Sequence, residues 1–309
     1  RNYLASEFVF GRYSYDGKYP EESRLGWISS GKVRLFTRRE DVFFVNPVHE
    51  LLEPSIINAK IPLYNCSIAV HHYGKMDSSK DAQKGEEYYL MGKIKCENEP
   101  NNVRYIIELA KQAQLLSKNE EALGLFRKAL ALLGDDRESP VFKDVSVFTF
   151  GDPIAELQAY VAASCLHLNR FEEALEASRK SMKTDVKLKE YITVYAQCEI
   201  LAGSLDTALS LVEDQLQVSP DYIPAIIFKA AIFCMEGKKE KLKDLSPVMI
   251  QNRDHVTAVF NVLTMKLHQN HMRDQALRLA ATAFDNQIIT EETHNILQLL
   301  DEKLSSQTC

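Results

Sequence analysis

Four positions 34 residues apart constrain this chain more than any other feature: Ala174, Ala208, Leu242 and Ala276. Ala122 lies 52 residues before Ala174, one period plus an insertion of 18. Twelve residues before each anchor stands a small residue: Ala110, Ala162, Ala196, Ala230 and Thr264. Four residues after come Phe126, Ser178, Val212, Ser246 and Ala280; seven after come Ala129, Ser181, Gln215, Met249 and Ala283. Turn formers fall between the two halves of each unit, as in Ser117-Lys118-Asn119, Asn169-Arg170, Gly203-Ser204, Gly237-Lys238 and Asn270-His271. A fixed period with apolar spacing near 3.6 predicts helical hairpins, each with an apolar face too small to stand alone. Stacking such hairpins at a constant offset buries a continuous core, and small residues at the crossings let the backbones approach.

The helical pattern starts near Asp77-Ser78-Ser79, which offers N-cap residues, and the first helix runs to about Asn98 before Pro100 stops it. Repeats occupy about Asn102–Phe284, and a last helix over about Thr290–Leu304 is expected to cap the stack. The fourth unit departs from the pattern, because Leu242 replaces alanine and Pro247 should cut its second helix short. The insertion, residues 134–153, carries Val145, Val147, Phe148 and Phe150 and is expected to form an ordered flap.

The spacing resembles the tetratricopeptide repeat (TPR), most closely in Ile106-x2-Leu109-Ala110-x11-Ala122-x3-Phe126-x2-Ala129. Pro220 stands where that family often ends a repeat. The resemblance implies a mainly α fold, a solenoid of about five hairpins over residues 101–309, with a groove lined by the first helices. By the family's geometry the groove should present Ile107, Lys111, Gln114, Glu156, Ala159, Ala163, Thr193, Gln197, Ile227, Ala231, Asn261 and Met265. A protein or peptide in that groove is the implied partner.

Residues 1–75 read differently. Short aromatic and β-branched runs, Phe8–Phe10, Lys32–Phe36, Val42–Val45 and Ser67–Val70, alternate with turn signals such as Asp16-Gly17-Lys18 and predict short strands. Pro47, Pro54 and Pro62 exclude a long helix. Three strings follow in order: Lys32-Val33-Arg34-Leu35-Phe36-Thr37-Arg38, Phe43-Phe44-Val45-Asn46-Pro47-Val48-His49-Glu50, and Ile68-Ala69-Val70-His71-His72-Tyr73-Gly74-Lys75. Their order resembles the carboxy-terminal part of a family 2 glycosyltransferase of the GT-A fold, and bacterial members often continue into TPRs. The resemblance makes residues 1–100 a small α/β remnant of such a domain with a linking helix.

What this implies chemically can be written residue by residue. Glu50 matches the base that takes the proton from an acceptor hydroxyl. His72, or His71 in the alternative register, matches a metal-site histidine, with Mg2+ or Mn2+ neutralising a leaving diphosphate. Alternation along a strand lets only one of the two point into the site. Arg34, Arg38 and His49 would lie near substrate. The donor would be a nucleotide sugar and the acceptor is open. No Asp-x-Asp or Asp-Asp element precedes Arg34. The chain is therefore expected to hold the acceptor side of a site and to be inactive alone. Arg1 in place of Met suggests a start internal to a longer polypeptide.

Composition narrows the alternatives. A net charge of −6 argues against a general nucleic-acid binder. The six cysteines form no C-x-x-C pair, and reduced thiols in a cytoplasmic protein are the expectation. No apolar run approaches the length of a membrane span. The rival to the transferase is a non-enzymatic repeat scaffold that binds a protein partner, with residues 1–75 as its cap.

Overall fold

A computed structural model describes residues 2–4, 27–28, 32–45, 51–66, 68, 70, 72–75, 78–134, 152–183, 191–291, 293–295 and 298–299. The chain is mostly helical. It divides into two compact units, residues 1–125 and 126–309.

In the first unit, β1 (Asn2–Leu4), β2 (Trp27–Ile28) and β3 (His72–Lys75) form a sheet of order β2-β1-β3. β1 pairs antiparallel with β2 and parallel with β3. The strands expected over Lys32–Phe36 and Ser67–Val70 do not form among the described residues there, and Val42–Val45 contributes only a bridge from Val45 to Leu51. The reason is local. Val33 and Val42 turn inward onto Leu52, Ile56 and Ile61, while Leu35, Phe36, Phe43 and Phe44 stay exposed. The segment packs on α1 (Glu53–Asn58) instead of pairing into a ladder. Pro54, in the first turn of α1, fits the expectation that no long helix runs here.

α2 (Ser78–Asn98) begins and ends where the capping residues and Pro100 predict. It packs on α3 (Val103–Leu115) through a face of Gly85, Tyr89, Gly92 and Cys96. A methyl group at Gly92 would lie 3.2 Å from Leu109 Cδ1, so glycine sets this approach. Asn102 caps α3 by accepting from the Tyr105 amide at 3.3 Å.

The remaining helices are α4 (Asn119–Leu133), α5 (Pro153–His167), α6 (Phe171–Met182), α7 (Ile192–Leu201), α8 (Leu205–Val218), α9 (Ile223–Glu236), α10 (Lys239–Leu242), α11 (Ser246–Gln251), α12 (Arg253–Gln269) and α13 (Arg273–Asp285). Asp152 caps α5 with its carboxylate on the Ala155 amide at 3.0 Å, and Pro153 occupies the first helical position. The described residues between 291 and 299 are helical, in line with a terminal cap. The flap expected over residues 134–153 lies outside the described residues except at its two ends.

The 34-residue period is written in the backbone. Each hairpin turns through one residue with positive φ: Ser117 (59°), Asn169 (58°), Gly203 (76°), Gly237 (69°) and His271 (60°). The amide that follows bonds back five residues, from Lys118 to Ala113, Arg170 to Cys165, Ser204 to Glu199, Lys238 to Phe233 and Met272 to Leu267. This helix-ending motif satisfies carbonyls that would otherwise be orphaned. The residues at the repeat anchors and twelve before, four after and seven after them are buried, except Ser246, which is half-buried.

Regular stacking persists from α5 to α9, each second helix packing on the next first helix. It then changes. The second helix of the fourth hairpin is broken into α10 and α11, with Pro247 starting the latter. α13 now packs extensively on α9, whereas α12 touches α11 and α9 only lightly. Lys239 of α10 pairs with Asp285 of α13 at 2.7 Å, and an Arg253 guanidinium N–H donates to the Gln287 carbonyl at 3.4 Å. The fifth hairpin has moved in over the gap that the shortened helix leaves.

Candidate functional site

Of the residues singled out by the sequence, Arg34 and Arg38 belong to a described segment that packs on α1. The Glu53 carboxylate accepts from the Val33 amide at 2.8 Å and the Leu52 amide at 3.1 Å. These backbone bonds hold its pKa below the ordinary value although burial acts the other way and is the largest influence. Ser55 Oγ donates to the Leu52 carbonyl and accepts from the Phe43 amide. Val45 and Leu51 exchange backbone hydrogen bonds of 2.8 and 3.1 Å.

Arg34 and Arg38 are exposed. Arg39 instead makes the local pair, closing on Asp41 at 2.6 Å on the surface. His49, Glu50 and His71 lie outside the described residues. His72 begins β3, and its side chain is likewise not described. Of the side chains expected at the transferase site, only those of Arg34 and Arg38 are described. Among the described residues no group of three or more His, Cys, Asp or Glu side chains is placed to hold a metal.

The second candidate is the face that the first helices were expected to line. In the second unit, Glu156, Ala159, Thr193, Ile227 and Ala231 are buried, and Met265 is exposed. Ala163, Gln197 and Asn261 are half-buried. The expectation of an open groove presenting these side chains is corrected. The physical reason is that α5, α7 and α9 are apolar nearly all round, and such helices bury every side. On α9 every position from Ala225 to Met235 is buried except Lys229, which reaches Glu213 at 2.9 Å.

Several polar groups inside this layer are paired with one another. Tyr160 OH donates to Glu156 at 3.2 Å, stacks on Phe126 and meets Tyr191 edge-on. Ser181 Oγ donates to the Ala155 carbonyl at 2.6 Å and lies 2.7 Å from Tyr195 OH. Burial, reinforced by Tyr160 and Glu156, raises the Tyr191 phenol far above its ordinary range. These residues form an ordered polar core, which specifies packing when fully satisfied.

The sequence reading missed Lys266. Its side chain is 6% exposed, and its ammonium donates to the Leu166 carbonyl and, at 3.3 Å, to Asn169 Oδ1. Neighbouring Asn270 donates to the Leu201 carbonyl. Only the register offered a signal: Lys266 sits two residues after the small repeat residue Thr264, within a buried stripe of Val256, Phe260, Leu263 and Leu267.

A cavity of about 120 Å3 lies between α12, α13 and the terminal helical residues, beside Thr264, Ala280 and His294. Thr264 Oγ1 and His294 Nδ1 are buried without a hydrogen bond to a described residue.

No family model matches the chain, and no curated protein matches it. Solved structures do. One is the crystal structure of YrrB, titled a TPR protein with an unusual peptide-binding site, at TM-score 0.43 and 13% identity over 67% of this chain and 97% of that one. Another is MamA, at TM-score 0.40 and 16% identity over 69% of this chain and 95% of that one. A second MamA structure gives TM-score 0.37 and 14% identity over 68% and 87%. Among the described residues no helix is long and apolar enough to cross a membrane.

Proposed function

We propose that the chain is a TPR-type helical scaffold that engages a protein partner, and that the outer face of α2 belongs to the contact surface. The observation that carries this is an apolar stripe on one side of a single helix. Leu90, Met91 and Ile94 are 57%, 45% and 57% exposed, opposite the buried Gly85, Tyr89 and Gly92 and the half-buried Cys96. Contiguous apolar surface of this kind marks interaction sites in soluble proteins. The partner would bring an apolar patch of its own. The test is a double variant, Leu90→Asp with Ile94→Asp, compared with wild type for the proteins it retains. Loss of specific retention, with helical content and melting temperature unchanged, supports the reading. Equal retention by both sinks it.

A second reading keeps the transferase. The Val45–Leu51 pairing favours it, because it holds together the two ends of the segment that carries His49 and Glu50. On this reading Glu50 is the base, Arg34, Arg38 and His49 contact substrate, and His72 or His71 serves Mg2+ or Mn2+. The donor is a nucleotide sugar. Glu50→Gln in a polypeptide that also carries a nucleotide-binding half should abolish sugar transfer without unfolding. Retained turnover would remove Glu50 from the mechanism.

A further inference from the structure

A buried lysine is expensive, and the chain keeps one at Lys266. Among the described residues the Lys266 ammonium pairs with no carboxylate. It is held by two neutral oxygens, the Leu166 carbonyl and the Asn169 carboxamide, 100 and 97 residues away in sequence. Leu166 belongs to the last turn of α5, and Asn169 is the positive-φ residue just beyond it. Leu201, which accepts from Asn270, ends α7. The carboxyl end of a helix carries about half a negative charge, so two such ends side by side attract a cation. The Phe171 ring, with its centroid 5.9 Å from Nζ, adds an aromatic face.

The helix that brings Lys266 there is also the one that left the regular stack. α12 packs mainly on α13 of its own hairpin, touches α7, α9 and α11 equally lightly, and reaches the end of α5 through Lys266. The interrupted stretch Lys243–Asn252 precedes it and supplies a joint. Replacing a buried charge by an apolar residue is often neutral or stabilising, so a buried lysine is not explained by stability.

We propose that the carboxyl ends of α5 and α7 are a binding site for a lysine-bearing amphipathic helix, and that α12 is its resident, displaceable occupant. The competing ligand is a helical segment that presents a primary ammonium beside an apolar stripe. α12 shows the pattern itself: Val256, Phe260, Leu263 and Leu267 bury the stripe and Lys266 stands beside it. This goes beyond the α2 surface and does not depend on it.

Two measurements on the full chain test this. In native-state hydrogen exchange, α12 amides should exchange at least tenfold faster than those of α5 and α7. Exchange of all three at one rate would make α12 a fixed part of the core and overturn the proposal. In the second, a fluorescent peptide of residues Arg253–Gln269 is titrated into wild type and into the Lys266→Ala, Asn270→Ala variant. Binding at least tenfold tighter to the variant is expected, and a peptide with alanine in place of its lysine should lose that gain. Equal binding by the two peptides overturns it. Should the double variant lose its circular dichroism signal, the exchange measurement on wild type decides alone.

Discussion

Arg179, near the end of α6, closes a fork on Glu199 of α7: Nε donates to Oε1 at 2.8 Å and Nη2 to Oε2 at 2.9 Å. The carboxylate is 1% exposed while the arginine side chain is half in water. The pair locks one hairpin to the next at a point where a buried charge has to be met. Arg179→Met would strand that carboxylate and should cost about 1–2 kcal/mol, the low end of the range because water reaches the arginine. Urea unfolding measures this, and an unchanged midpoint would show the fork to be idle.

The turn at His271 asks a side chain to adopt φ 60°. The equivalent positions Gly203 and Gly237 show what the geometry prefers. His271→Gly should stabilise the chain by about 0.5–1 kcal/mol, since the relief of left-handed strain exceeds the entropy glycine adds to the unfolded chain. Thermal melting checks the sign. Asn169 is a poor site for the same change, because its carboxamide also holds Lys266.

Ala230 is fully buried at a helix crossing of the fourth hairpin. Ala230→Leu should destabilise by about 1–3 kcal/mol through overpacking. The same substitution at the exposed position Lys243 is expected to fall within about 0.5 kcal/mol of wild type. Equal midpoints for the two variants would contradict the repeat packing.

Tyr89 donates to Glu121 at 2.5 Å, and that bond, with burial and the negative charge beside it, lifts the phenol from 10.0 to about 12. A raised acid contributes its full stability below the unfolded value and loses it as pH rises toward the folded one. The contribution should therefore be complete below about pH 10 and gone above about pH 12. Subtracting the ultraviolet titration of Tyr89→Phe from that of wild type should show one phenol ionising near the upper value.

Burial pushes the Cys198 and Cys234 thiols up to about 12, against a small opposing bond from Ser178 at Cys198. Cys66 is exposed. Thiolate is the reactive form, so an aromatic disulfide reagent at pH 8 should label Cys66 within minutes and leave Cys198 and Cys234 unlabelled until denaturant is added. Mass spectrometry of the labelled peptides reads this out, and early labelling of Cys234 would contradict a closed α9.

Much of the repeat domain was legible because its period is a local property repeated. The small residues at the crossings, the Asp77–Asn98 helix, the Pro100 stop and the interruption around Pro247 each follow from residues a few positions apart. The candidate sites were legible only as residue types. Arg34 and Arg38 are exposed, because only Val33 and Val42 of that segment find a core. Glu156 read as groove surface yet is buried with Tyr160, because all-round apolar helices leave no free side.

By itself, then, the sequence determined that hairpins form and where each one turns, since backbone preferences and apolar spacing act over a single turn of helix. The tertiary structure alone decided how the stack ends. A helix shortened at Leu242 leaves α9 uncovered, burying apolar area outweighs keeping the register, and α13 closes the gap. That displacement carries Lys266 to helix ends a hundred residues away, a contact no local pattern encodes.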